Sequence, residues 1–197
     1  MRIKKAVPII IFLFSITTLT IKAQKITIKN NTLYSTIIFT PNLGMEIGMG
    51  KKTSFNIHTS YNPWNLSGKS ANNRKLVHWV IQPEVRYWLN ENFDGHYVGV
   101  HGLFSKYNIG RKNVNILFGK DSKNHRFEGA ANGFGATYGY QWSFGKRWAL
   151  EANLGLGLIF LNYDKYDARK CGKWIDADKK TYLGPTKIGL NIIYRLN

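Results

Sequence analysis

The stretch GPTKIGLNIIYRLN (184–197) decides the fold. From Ile188 the even positions read Ile188, Leu190, Ile192, Tyr194 and Leu196, and the odd ones Lys187, Gly189, Asn191, Ile193 and Arg195. Side chains alternate faces along a strand, so one face is apolar and the other mostly polar. In a water-soluble barrel the apolar face lies inside, and in an outer-membrane barrel it lies on lipid with the polar face inward. The same rhythm recurs in LYSTIIFT (33–40), LGMEIGMG (43–50), TSFNIHTSYN (53–62), VHWVIQPEVRYWL (77–89), HYVGVHGLFSKY (96–107), EGAANGFGATYGYQW (128–142) and RWALEANLGLGLIF (147–160). No convincing amphipathic helix interrupts it.

The spacing therefore predicts an all-β chain: an eight-stranded antiparallel up-and-down transmembrane β-barrel. Connections 51–52, 90–95 and 143–146 are short, whereas 63–75, 108–127 and 162–182 are long. Short periplasmic turns and long outer loops are the habit of such barrels, which puts both termini in the periplasm and the long loops outside. The first connection, near Pro41-Asn42, is short on the long-loop side. Pro83, in mid-strand, cannot donate to a ladder and predicts a bulge or an irregular register there. Aromatics near strand ends (Trp64, Trp79, Trp88, Trp142, Trp148, Tyr87, Tyr140, Tyr194) have the placing of interfacial girdles.

The N-terminus MRIKKAVPIIIFLFSITTLTIKAQ opens with Arg2, Lys4 and Lys5, continues in an apolar run and offers Ala23 as a cleavage site. This reads as a secretory signal peptide over 1–23, with the barrel domain at 24–197. The apolar run falls short of the ~20 residues a spanning helix needs. A single cysteine, Cys171, excludes a disulfide-stapled scaffold. The chain carries a formal charge of +17, of which the leader's Arg2, Lys4, Lys5 and Lys22 hold four. For an exported protein such charge points to lipopolysaccharide phosphates or acidic glycans rather than nucleic acid.

Glu46, Glu84, Arg86, Glu151, Lys187 and Arg195 all fall on the polar, inward faces. Isolated buried charges are costly, so these six should pair as a lumen charge network. An eight-stranded barrel is just wide enough for side chains to fill it, which favours a structural plug over a gated ion path or a carboxylate pair in acid–base work. The long loops are basic: Lys69, Arg74 and Lys75 in the first; Arg111, Lys112, Lys120, Lys123 and Arg126 in the second; a smaller excess in the third. No metal spacing joins His58, His78, His96, His101 and His125, and no nucleophile elbow occurs, so no catalytic residue, metal or cofactor is assigned.

The motifs NPWN (62–65), QPEVRYWL (82–89), GHYVGVHG (95–102), YGYQW (138–142), GKRWALEA (145–152), YDKY (163–166), CG (171–172) and GPTKIGL (184–190) together resemble a Bacteroidales family of outer-membrane β-barrels, named only as a domain of unknown function. The resemblance covers nearly all of the chain after the leader. It implies an outer-membrane location and genes near those for fimbrial or surface assembly, and it brings no activity. Family members often carry a Cys pair near the CG motif; with Cys171 alone, that pair is incomplete here. The expectation is a monomeric structural or adhesive barrel in contact with outer-membrane lipid, lipopolysaccharide and fimbrial or surface-assembly proteins. Two alternatives stand beside it: a narrow channel, and a barrel enzyme acting on envelope lipid or peptide.

Overall fold

The computed structural model describes residues 25–65, 74–111, 124–169 and 171–196; the predicted signal peptide lies outside them. Eight strands run in chain order: β1 (Ile26–Asn31), β2 (Asn42–Gly48), β3 (Thr53–Asn62), β4 (Lys75–Trp88), β5 (Gly95–Gly110), β6 (His125–Phe144), β7 (Trp148–Asp167) and β8 (Trp174–Arg195). Each pairs antiparallel with the next, and β8 returns to β1, closing the barrel. Lys25 and Leu196 share one end, the terminal end, with the three tight turns.

Four expectations are corrected. The predicted first strand, 33–40, holds instead a short helix, α1 (Thr32–Thr36), and the first strand lies earlier, in ITIKNN. Asn31 explains the switch: its Oδ1 accepts from Leu33 N at 3.1 Å and caps the helix. The predicted long loop 162–182 is mostly a hairpin extension of β7 and β8, paired from Tyr163↔Asp178 out to Tyr166↔Trp174. Both faces of that hairpin lack an apolar stripe, so periodicity could not reveal it; cross-strand pairs such as Lys165↔Asp176 support it instead. Lys75 and Arg126, assigned to loops, begin or lie within β4 and β6. Pro83 causes no register change: pairs with β5 stop at Ile81↔Phe104 and resume at Glu84↔His101 in the same register.

The burial alternation inverts along the strands. Near the terminal end β7 points Trp148, Leu154 and Leu156 outward and Glu151 and Asn153 inward. Past Phe160 it points Asn162 outward and Leu161 inward. On β5, outward Val98, Val100 and Phe104 give way to Lys106, while inward His101 gives way to Leu103, Tyr107 and Ile109. On β6, outward Trp142, Tyr138 and Phe134 give way to Asn132 and Glu128, and inward Gln141 and Thr137 to Ala131 and Phe127. The exterior is thus an apolar belt over the terminal part of the barrel and polar beyond it; the interior does the reverse.

The wall is uneven. β1 has 6 residues and β8 has 22, and β1 pairs only with Asn191 through Arg195. Beyond that no described strand pairs with this edge of β8, and an open edge is a liability in any sheet. Substitutes close it. Asn31 Nδ2 donates to Ile188 O at 3.0 Å and Thr32 Oγ1 to Leu190 O at 2.8 Å. An extra residue, Thr186, then shifts the register and switches the edge-facing set from even to odd positions. Pro185 has no N–H to leave open, and the amides of Lys179 and Ala177 donate to Asp178 Oδ1 (2.7 Å) and Asp176 Oδ1 (2.8 Å).

Candidate functional site

The interior near the terminal end is a charge cluster built from four register neighbours and one distant strand. Arg86 on β4 is its hub: Nε donates to Glu84 Oε2 at 2.6 Å, Nη1 to Glu46 Oε2 at 2.8 Å and to Glu151 Oε2 at 2.7 Å. Lys29 Nζ reaches Glu46 Oε2 at 2.5 Å and Glu151 Oε2 at 3.0 Å, and Lys187 Nζ reaches Glu84 Oε2 at 2.8 Å. Three carboxylates therefore face one guanidinium and two ammonium groups, all buried. Neutral donors finish the shell: Asn153 and Asn191 donate to Glu151 Oε1 at 2.7 and 2.8 Å, Asn56 to Glu84 Oε2 at 3.2 Å, and Ser54 to Glu46.

Five of the six residues expected in the network, Glu46, Glu84, Arg86, Glu151 and Lys187, come together. Arg195 does not. It sits at the terminal rim, where Nη2 donates to Phe93 O at 2.7 Å and to Ser143 Oγ. Its place in the charge balance is taken by Lys29, which lies on β1 ahead of the stretch 33–40 where the alternation predicts the first strand. The alternation of Ile26 and Ile28 against Thr27 and Lys29 is the signal that would have found it.

Aromatic and apolar groups flank the cluster. On the terminal side Trp88 lies 5.8 Å from Phe93 and 4.8 Å from Tyr97, ring centre to ring centre, and all three are buried. Phe93 comes from the turn after β4, at φ 70°, and its carbonyl is held by Arg195 and by Gln141 Nε2 (2.8 Å). Tyr97 lies under Arg86, whose Cζ is 4.3 Å above the ring. On the far side Leu103, Tyr107, Ile109, Phe127, Ile159 and Leu161 pack as one apolar cluster. Beside the charges, a cavity of about 10 Å³ lined in part by Lys29, His58, Arg86 and Lys187 has room for about one water. His101 spans the next layer, with Thr137 Oγ1 at 2.7 Å and Thr186 Oγ1 at 2.8 Å.

The basic residues lie at the far end. Arg74 is exposed just before β4, Lys75 pairs with Gly110, and Arg111 follows β5. Arg126 is engaged, with Nη1 2.6 Å from Glu128 Oε2 and its guanidinium 4.1 Å above the Tyr166 ring. Lys69, Lys112, Lys120 and Lys123 lie outside the described residues. Cys171 is exposed in the β7–β8 turn. Among the described residues no group of three or more His, Cys, Asp or Glu is placed to hold a metal.

Comparison with curated proteins and with solved structures gives no match. A family model, described as a protein of unknown function (DUF3575), matches residues 9–196. The match covers nearly the whole chain, and the chain belongs to the DUF3575 family.

Proposed function

We propose that this chain is a small outer-membrane barrel with a structural or adhesive role, its plugged lumen carrying nothing across and its basic far end contacting phosphate-bearing surface polymer. The observation that carries this reading is the inversion of the alternation. An apolar exterior over a charged interior fits lipid outside; a polar exterior over an apolar interior fits water outside. One strand changes from the first to the second at a single level. From Trp148 to Phe160 the belt on β7 rises roughly 30 Å at ordinary strand rise and tilt, close to the ~25 Å apolar band of such barrels plus its aromatic girdles. The termini then lie in the periplasm, and β4–β8 stand into the outer medium.

The paired charges, the aromatic rings on one side and the apolar cluster on the other weigh against the channel reading. Planar bilayers containing the purified barrel are expected to stay silent; a conductance that changes with Glu84→Gln or Arg86→Gln would restore the channel. Among the described residues no constellation favours an enzymatic role, which would need an envelope modification lost on deletion and restored by the wild-type chain. Placement itself is tested by boiling. A closed barrel in detergent-extracted outer membrane is expected to migrate differently in SDS before and after heating. Recovery in the periplasm without detergent would sink the proposal. For the far end, the expectation is salt-sensitive binding to lipopolysaccharide that weakens when its phosphates are removed, and weakens further in Arg74→Glu with Lys75→Glu.

A further inference from the structure

On the apolar belt two rows of outward side chains run side by side across β4–β7. One row is Tyr87, Val98, Tyr138 and Leu154, register partner to register partner; the other is Val85, Val100, Ala136 and Leu156. Between them lies a trough of about 690 Å³. It exists because Ala136 stands where every other member of the two rows is larger. Three strand spacings give it a length of roughly 14 Å. Its lower end reaches Thr53, the first residue of β3, and the two residues before Thr53 are exposed Lys51 and Lys52.

We propose that this trough seats one acyl chain of a phospholipid in the periplasmic leaflet, with the lipid's phosphate at Lys51 and Lys52. The inference rests on the membrane placement proposed above. An alkyl chain is the occupant because the trough is continuous with the apolar belt and its walls offer aliphatic and aromatic side chains. An anionic head group is favoured because the end at Thr53 carries two adjacent lysines, of which Lys52 Nζ spends one donor on Leu89 O at 2.9 Å, while Glu91 and Asp94 of the adjoining turn line the barrel mouth together with Lys25, Lys146 and Arg195. The phosphate there lies at the depth of the Tyr87 ring, where a girdle residue meets head groups. A flat patch of belt would exchange lipid freely; a walled groove with a charged end holds one chain longer.

The test is mass spectrometry of the intact barrel released from micelles supplied with equal amounts of phosphatidylglycerol and phosphatidylcholine. Wild type is expected to retain one phosphatidylglycerol. Ala136→Phe fills the trough and is expected to cut retention about tenfold, the effect of losing contact with roughly two methylenes. Lys51→Glu with Lys52→Glu is expected to keep the trough but lose the preference for phosphatidylglycerol. Heat-dependent mobility in SDS establishes that each variant is folded. Folded wild type that keeps no lipid, or folded Ala136→Phe that keeps as much as wild type, overturns the trough while leaving the barrel's placement intact. A chain that needs no detergent overturns both. Equal retention of the two lipids by wild type overturns the preference for a net-anionic head group at Lys51 and Lys52.

Discussion

Arg86 holds three carboxylates with one guanidinium, and no other cation in the cluster touches all three. Removing one partner from a buried ionic network is far more damaging than never having built it, because the remaining charges stay buried. Arg86→Leu is expected to cost about 3–5 kcal/mol of stability, read by urea titration of the barrel in micelles. Arg195→Leu, which loses rim bonds to Phe93 and Ser143, should cost about 1–2 kcal/mol in the same titration. Equal losses would mean that the cluster is not what holds the interior. Gly139 makes a separate point. A Cβ there would lie 2.4 Å from Tyr97 Cζ, so Gly139→Ala must push the ring that backs Arg86. The expected cost is about 1–3 kcal/mol, and a Tyr97→Leu background should remove most of it.

Strands inside the apolar belt were legible in the sequence because one face is apolar and the other is not. TSFNIHTSYN (53–62) carries the pattern in full and coincides with β3. Legibility failed where the pattern was equivocal. LYSTIIFT (33–40) has strand composition but follows a capping Asn31, and the local hydrogen bond won over propensity. The β7–β8 extension is polar and exposed on β8 and ends beyond the apolar interior cluster, so its sequence carries charge instead of alternation. Misplacing β1 by a few residues also cost the network Lys29 and gave its place to Arg195. The free edge of β8 yields a prediction at this scale. With Asp176→Ala and Asp178→Ala, two edge amides lose their caps. The double variant is expected to associate through that edge, seen as a dimer by sedimentation and trapped by oxidation of exposed Cys171. A variant that stays monomeric would show that the caps are incidental.

Taken as a whole, the molecule is a short cylinder with a tall side. The low side, β1 to β3, ends near the level where the belt ends; the tall side, β4 to β8, continues past it. Whatever meets the far end therefore meets mainly β4 to β8, and substitutions on the outer tips of those strands should alter binding to surface polymer more than substitutions near α1. Surface plasmon resonance on immobilised lipopolysaccharide distinguishes the two sides; equal effects would mean the height difference has no role in binding. The seam between β1 and β8 has a further consequence, for the order of events when the protein is made. Lys29 lies on the first strand and Glu151 on the seventh, so the salt bridge between them exists only once the ends of the sheet have met. Until then Lys29 can still pair with Glu46 on the neighbouring β2, but Glu151 lacks its ammonium partner across the seam, and a carboxylate short of a partner is one that hydrocarbon excludes. On the outer-membrane placement proposed above, entry into the bilayer would wait for closure or be sheltered by an assembly machine, with the five register pairs between β1 and β8 as the latch that ends the wait.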